Sequence, residues 1–450
     1  MVALVRTPAR WVEAALAAGL LVVAACSGAG GSPSGTSFKG TRNVGVDTAI
    51  TGPSALSGHA ISQAVKLAVS DLDSSGGVAG YELRADVLDD GTDVSKAVEN
   101  TNRLIQQDNA AVLVGQVTSA QCQATSPISK QSKVVMMAAT CNMYQLTTGP
   151  DLINPYYVSV VPNTYMEGTS AGQLVGRLAN VKNIFIVSPD NLFGRSETNA
   201  FVAELKKVNP DMKIVDSQST WYVPYPNPSW AMTIAAIQAS NPSPDLIYSN
   251  IFAADDERFI EQALRADPDF FQKYPMTTLS SVDDLNALRS AFPLGMHLYM
   301  RAPFFSLTNS RLTTFIDRYR ARYNGEYPSD WAVMDYDAVM TWARAANAAG
   351  TLDSGKVLRQ LAGHTFPSLR GYNFTIRTQD RQANVGETIG TTSSASGTKY
   401  PFPTLSPVTN LKGDDIIMPL DLVEELQSGQ CEQGGKPATT DVTLCPSWSR

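Results

Sequence analysis

The sequence predicts an α/β protein wound on parallel sheets, and three observations carry that prediction. Short apolar strands alternate with amphipathic helices along most of the chain. The strands are roughly four to six residues and the helices about ten to fifteen, which calls for crossover helices on both faces of parallel sheets. The chain has 450 residues, 43% of them apolar, so the repeated units are too many for one sheet and suffice for two cores.

Val44-Gly45-Val46 reads as the first strand, followed by the turn Thr51-Gly52-Pro53-Ser54. Ile61, Ala64, Val65, Ala68 and Leu72 recur three and four apart, which is the period of a helix, and Gly76-Gly77 stops it. Residues 81–88 alternate like a strand, 94–107 read as helix, and Ala111-Val112-Leu113-Val114 as a buried strand. Strands follow at 134–138, 184–188, 213–216 and 245–250, with helices over 197–208, 230–239 and 255–265. Residues 311–350 are almost continuously helical, with a break at 325–329. After Ile376 the chain is rich in Gly, Ser, Thr and Pro, and no element is assigned there.

Composition excludes whole classes of function. The net charge is −7, and no run of Lys or Arg exceeds two residues, so there is no clustered positive face to displace counterions from a nucleic acid. Three histidines and five cysteines lie far apart with no CxxC or HExxH spacing. No metal or cofactor is expected.

The N-terminus reads as an address. Arg6 and Arg10 precede an unbroken small-apolar stretch over 14–25, too short for a bilayer, which needs about 20 residues. It ends Val23-Ala24-Ala25-Cys26-Ser27-Gly28, similar to the lipobox at which bacterial lipoproteins are cleaved and lipidated on cysteine. The Gly/Ser-rich residues after it read as a tether. An exported chain meets disulfide-permissive conditions. With Cys26 assigned to lipid, four cysteines remain and allow three pairings. The local pairing, Cys122–Cys141 with Cys431–Cys445, is the expected one; buried free thiols are the alternative.

Open parallel sheets hold ligands beyond the carboxyl ends of their strands, near helix N-termini. Two such loops carry hydroxyls: Gly115-Gln116-Val117-Thr118-Ser119 and Ala138-Ala139-Thr140-Cys141-Asn142. A bridge between Cys122 and Cys141 would staple them together. Hydroxyls and free amides facing one gap suit a carboxylate; the alternative for either loop is helix capping.

The ordered run Thr51-Gly52-Pro53 with Gly58, Gly76-Gly77-Val78-Ala79-Gly80-Tyr81, Asp89-Asp90, the two hydroxyl loops and Leu146-Thr147 resembles one known family. It is similar to the type I periplasmic binding proteins of the leucine/isoleucine/valine-binding family, the solute receptors of ABC importers. Weaker matches follow at Asn191-Leu192-Phe193-Gly194 and around Asn241-Pro242. The resemblance implies two doubly wound lobes joined by a three-segment hinge that close on a small ligand. With the signal peptide read at 1–25 and the tether at 26–42, it places lobe I at 43–160 with 302–371, and lobe II at 161–301 with 372–450.

Carried over to this chain, the resemblance implies a carboxylate grip from Ser119 and Thr140, with Thr118 and the backbone of Ala138. Phe193 stands where the family usually has a tyrosine. Asp283, in Ser280-Ser281-Val282-Asp283-Asp284, is the candidate counter-charge for a ligand ammonium. A buried ammonium without one is costly, so this position decides whether amino acids fit. The aromatic cluster Trp221, Tyr222 and Tyr225 is expected in a surface loop; reaching the cleft, it would favour a larger or aromatic ligand.

The implied function is an extracytoplasmic solute-binding lipoprotein, a monomer on the membrane serving ABC permease subunits. Its ligand would be a small amino acid or a related carboxylate or amide. The alternatives are a ligand sensor of the same fold and, remotely, a serine hydrolase. The last rests on Gly168-Thr169-Ser170-Ala171-Gly172, which matches the G-x-S-x-G elbow, although no clean strand precedes it.

Overall fold

The computed structural model describes residues 38–431 and 445–449. The signal segment, Cys26 and the tether up to residue 37 lie outside the described residues. Among those described, no helix is long and apolar enough to cross a membrane.

The first sheet is built from β1 (Thr41–Thr48), α1 (Ala55–Ser74), β2 (Glu82–Asp89), α2 (Val94–Gln106), β3 (Ala110–Val114), α3 (Ser119–Ser132), β4 (Val135–Ala138), α4 (Gln145–Thr148) and β5 (Tyr157–Ser159). All its strands are parallel, in the order β2-β1-β3-β4-β5. The chain then crosses to α5 (Thr164–Gly176), β6 (Asn183–Pro189), α6 (Leu192–Val208), β7 (Lys213–Ile214), α7 (Gln218–Trp221) and β8 (Tyr222–Val223). It continues through α8 (Ala231–Ala239), β9 (Leu246–Ser249), α9 (Ala254–Ala266), α10 (Phe270–Lys273), β10 (Met276–Leu279), α11 (Val282–Leu288) and β11 (His297–Met300).

A second crossing leads to α12 (Ser310–Arg322), α13 (Asp330–Ala349) and α14 (Ser354–Leu361), and α13 packs on α1, β3 and β4 of the first sheet. The short hairpin β12 (Thr365–Pro367) and β13 (Asn373–Thr375) precedes the last return to the second sheet. There β14 (Glu387–Ser393) lies antiparallel on β11 and β15 (Thr404–Leu411) antiparallel on β14. The second sheet runs β15-β14-β11-β10-β9-β6-β7, with β8 also on β6. Helices α15 (Gly413–Ile416) and α16 (Leu420–Ser428) end the regular structure ahead of a short 3-10 turn, Pro446–Ser449. This is the doubly wound, two-lobed class that the strand–helix alternation predicts.

Three features differ from the sequence reading. The first strand begins at Thr41, three residues before its apolar centre, because its edge pairs with β2 from Thr41↔Glu82 onward. Helix α3 escapes pattern reading: it is largely Ser, Thr and Gln with Pro127 inside, and its start is fixed by capping instead. The boundary drawn at 371 lies later in the chain. Strand β5 is an edge with free backbone groups, and residues 381–383 satisfy them: Ser159 N–H donates to Arg381 O (3.1 Å) and Ala383 N–H to Ser159 O (2.8 Å). Residues 381–383, expected in the second lobe, therefore sit on the edge of the first sheet. Helix α16 also returns to that lobe, packing on α4, with Gln427 Nε2 donating to Thr147 O (3.0 Å).

Both expected disulfides are present, Cys122–Cys141 and Cys431–Cys445. The core is one large cluster spanning both lobes, with a second under α5 and α6 and a third around Cys122 and Cys141. Along the flank of the second crossing, Phe304 stacks on Tyr327 at 5.4 Å and meets Tyr400 at 5.5 Å, so aromatic rings from both lobes lock together there.

Candidate functional site

Both sheets reverse strand order at a switch point, β1/β3 in one and β6/β9 in the other. Ligands bind at the carboxyl ends beside such points. One cavity of about 160 Å³ lies there. Its lining follows the strand ends in turn: Thr92 and Val94 after β2, residues 117–120 after β3, and Thr140 and Asn142 after β4. From the other sheet come residues 191–193 after β6, Tyr225 after β8, Phe252 after β9 and Arg301 after β11. Trp331, at the start of α13, completes the wall.

Sequence explains the first-lobe wall locally. Gly115 has φ +102°, and a Cβ there would meet Val46 at 3.0 Å and Asp47 O at 3.1 Å. The turn it allows lets the chain fold over β1 and start α3 at the cavity. Thr118 caps α3 in a capping box: its hydroxyl donates to Gln121 Oε1 (2.9 Å) and accepts from Gln121 N–H. The N–H groups of Ser119 and Ala120, in the first turn, have no intrahelical acceptor and lie where residues 119 and 120 line the cavity. Ser119 Oγ accepts from Met143 N–H (3.2 Å), leaving its own proton for a ligand. Thr140 donates its hydroxyl to Gln116 O. The Cys122–Cys141 bridge ties the two loops, and Tyr157 donates to Cys141 O (2.8 Å).

Beneath this wall Gln116 Nε2 donates to Asp47 (2.8 Å), and Asn100 Nδ2 donates to its other oxygen (2.9 Å). Burial pushes the Asp47 carboxyl up to about 7, against those hydrogen bonds, which pull it down.

The second-lobe wall is aromatic. Asn191 caps α6 by accepting from Gly194 N–H (2.8 Å), and a Cβ on Gly194 would lie 2.2 Å from Pro189 O. This tight start sets Phe193 at the cavity. Phe193 meets Phe252 edge-on at 5.3 Å, and Phe252 stacks on Tyr225 at 4.8 Å. The Arg301 guanidinium lies 4.9 Å from the Trp331 ring and 5.8 Å from that of Phe193. Its Nε donates to Glu167 (2.5 Å), whose other oxygen accepts from Asn142 (2.8 Å). Its terminal nitrogens bond to no group among the described residues, and Arg301 lines the cavity. Burial opposes its charge, but Glu167, helped by Glu197 and Glu387, outweighs burial and keeps it protonated.

Arg301 is the one charged residue lining the cavity, and no Asp or Glu does so among the described residues. Asp284 and Asp330 reach only a recess of about 20 Å³ behind Arg301, room for a water and no more. Asp330 is occupied there as a clamp between lobes, accepting from Val282 N–H (2.7 Å) and Ala302 N–H (2.8 Å). Across the cleft mouth, Ser54 Oγ and Tyr225 Oη lie 3.3 Å apart.

The family model described as periplasmic binding protein matches residues 41–394. The chain belongs to the type I periplasmic binding proteins. Among curated relatives, the Leu/Ile/Val-binding protein of Citrobacter freundii is 26% identical over 188 residues, 41% of this chain and 49% of the relative. The chain thus spans about half the length of that relative. Among solved structures, a solute binding protein of an ABC transporter from Rhodopseudomonas palustris BisB5, in complex with 3,4-dihydroxybenzoic acid, superposes with TM-score 0.72 at 20% identity. That match covers 83% of this chain and 98% of the other. A second R. palustris solute binding protein, in complex with benzoate, gives TM-score 0.70 at 19% identity, covering 83% and 97%.

In this periplasmic binding protein, Thr118, Ser119, Thr140 and Phe193 meet at the cavity. Their roles differ from the expected grip: the hydroxyl protons of Thr118 and Thr140 are spent inside the protein, so Ser119 is the hydroxyl donor left. Ala138 does not reach the cavity; it ends β4, buried, with its carbonyl accepting from Val160 N–H (2.9 Å). Asp283 does not line it either. It lies on α11, where Ser281 and Asp284 form the capping box, and burial with the neighbouring charges of Asp284 and Asp330 pushes its carboxyl well above the usual range.

Tyr225 belongs to the cavity, whereas Trp221 and Tyr222 do not line it. Arg301, Phe252 and Trp331 are among the lining residues that sequence reading passed over, whereas Asn142 closes one of the two loops it singled out. The strand-end rule, applied to β11, would have found Arg301, which directly follows Met300. Ser170 lies within α5 and donates to Met166 O (2.9 Å), as a helical serine does, so it forms no nucleophile elbow.

Proposed function

We propose that this protein is the extracytoplasmic solute receptor of an ABC importer, anchored to the membrane by lipid on Cys26, and that its solute is a monocyclic aromatic carboxylate. The observation that carries the ligand class is the cavity wall, in which, among the described residues, the single charged one is the cation Arg301 and no carboxylate faces the ligand. An α-amino acid buried here would leave its ammonium without a counter-charge, a cost of several kcal/mol. An aromatic acid suits the same wall. Phe193, Tyr225, Phe252 and Trp331 supply faces and edges for a ring, while Ser119 with the first N–H groups of α3, and Arg301, supply two poles for a carboxylate and a ring hydroxyl.

Size agrees: a cavity of about 150 Å³ holds benzene, and this one is about 160 Å³. Two structural neighbours hold benzoate and 3,4-dihydroxybenzoic acid. The curated relative is named for Leu, Ile and Val instead. Binding makes and breaks no bond. Closure of the lobes around the solute, with Ser54 and Tyr225 meeting across the mouth, would present the permease with a two-lobed surface.

The test is thermal shift on protein verified free of carried-over ligand, against benzoates, phenolic acids, branched-chain amino acids and amides. A ligand at about 100 times its Kd raises stability by about 2.7 kcal/mol. Hits confined to aromatic acids support the reading. Hits confined to amino acids would reject the ligand class, and a silent panel would reject both classes and move a sensing role ahead.

A further inference from the structure

A second charged pocket lies away from the cleft, on the face of the first lobe formed by α1, α12 and α13. It encloses about 290 Å³. Helix α12 brings Arg311 and Arg318, two turns apart on one face, and α13 brings Arg344. Phe315, Met340 and Leu369 contribute apolar wall. None of these residues lines the cleft.

One acid, Asp71, faces the pocket, and its oxygens are already engaged by Arg318 and by the Tyr336 hydroxyl (2.7 Å). Arg311 and Arg344 are left without an ion pair or hydrogen bond among the described residues, and Arg344 Nη1 is buried with no partner. Burial lowers the pKa of Arg344. Asp337 pulls it back up and the positive charge of Arg311 lowers it again. Asp337 itself is occupied, accepting from Ser368 Oγ and Leu369 N–H (3.0 Å). The first N–H groups of α12 add partial positive charge at the same end, since its cap Asn309 takes only that of Leu312 (2.9 Å) through its side chain. The chain as a whole carries a net charge of −7, yet Arg311 and Arg344 both line this one pocket with no acid engaged to either among the described residues.

We propose that this pocket binds a phosphate group, either as a free phosphate monoester or as the headgroup of an anionic lipid. Guanidinium forks match phosphate oxygens two at a time. A dianion between Arg311 and Arg344 would supply the missing partner of both. The volume and the apolar wall leave room for the organic part of a phosphate ester.

The test is isothermal titration of the full chain, carrying Cys26→Ser so that no lipid anchor contributes, with inorganic phosphate and with glycerol 3-phosphate, against chloride at equal ionic strength. Saturable one-to-one binding is expected, weakened about tenfold or more by Arg311→Gln and by Arg344→Gln. Arg311 is exposed, so its variant keeps the fold even where the Arg344 variant does not. Sedimentation with phosphatidylcholine vesicles, with and without phosphatidylglycerol, separates the sources. Arg311-dependent binding to phosphatidylglycerol assigns the headgroup; phosphate binding without vesicle binding assigns the free ester. Benzoate affinity should be unchanged in both variants, which keeps this outcome separate from that of the cleft. Absence of saturable phosphate and vesicle binding, or binding indifferent to both substitutions, would overturn the proposal.

Discussion

On the first-lobe side of the cleft, the polar groups come from neighbouring loops, residues 117–120 and 140–142, tied by one disulfide and seated on a buried hydrogen-bond network. On the second-lobe side, the wall is Phe193, Tyr225, Phe252 and Arg301, each from the end of a different strand, and its charge rests on one buried ion pair. The contrast teaches how the two halves divide the work. The first wall offers fixed hydrogen-bond donors at a helix N-terminus, which any carboxylate can use. Under the proposed function, the second wall would choose among carboxylates through ring shape and through the sign of its single charge.

The largest effect expected comes from breaking the second wall's ion pair. Arg301→Met leaves Glu167 buried and unpaired, which should cost about 3–5 kcal/mol of stability and at least about 30-fold in aromatic-acid affinity. Arg301→Met with Glu167→Gln should recover most of the stability and none of the affinity. Denaturant melts and titration calorimetry read the two separately. Recovery of binding in the double variant would show that Arg301 serves the fold and not the ligand.

The first wall depends instead on its staple. Replacing Cys122 and Cys141 by serine opens a loop whose ends are 19 residues apart and should lower stability by about 3 kcal/mol in urea, with a parallel loss of affinity as Ser119 loses its position. Ser119→Ala alone removes one hydrogen bond to a charged group. It should weaken binding by about 1.5–3 kcal/mol while leaving the melting temperature nearly unchanged. An Ser119→Ala variant with wild-type affinity would move the carboxylate to the other wall.

Buried carboxyls beneath each wall give a pH signature. Asp47, under the first, is raised to about 7, and Glu387, under the second, to about 8. In each case the folded protein holds a proton that the unfolded chain has released, so stability falls as pH rises between about 4 and these values. For one group the slope is about 1.4 kcal/mol per pH unit. Urea midpoints measured from pH 5 to 8 should decline, and Asp47→Asn should flatten the curve up to about pH 7. The smallest effect is expected at the mouth, where Tyr225→Phe removes the contact with Ser54. A loss of about 0.5–1.5 kcal/mol in ligand affinity, carried by faster release, is the outcome to look for in stopped-flow.

The same contrast explains what could be read from sequence. Thr118, Ser119 and Thr140 were legible because a strand, its following loop and a helix cap lie within a few residues of each other. Phe193 was legible through the short Asn191-Leu192-Phe193-Gly194 run. Arg301 and Phe252 have no such local signature: their meaning comes from the second sheet, which places the ends of β9 and β11 beside those of β6 and β8. Asp283, expected at the cleft, lies off the cavity lining for a related reason. A pair of acids opening a helix looks alike in sequence whether it faces a ligand or caps the helix, and here Asp284 caps. The late crossing after residue 383 was hidden because an edge strand is completed by a segment with no apolar pattern of its own.

The central claim is that the cleft selects a carboxylate without an ammonium. The direct measurement is titration calorimetry of the wild-type protein with phenylacetate and with phenylglycine, which differ by that one group. Phenylacetate binding at least about tenfold tighter is the predicted result. Phenylglycine binding as tightly or more tightly would contradict it, and would mean that a carboxylate reaches the ligand in solution that does not line the cavity described here.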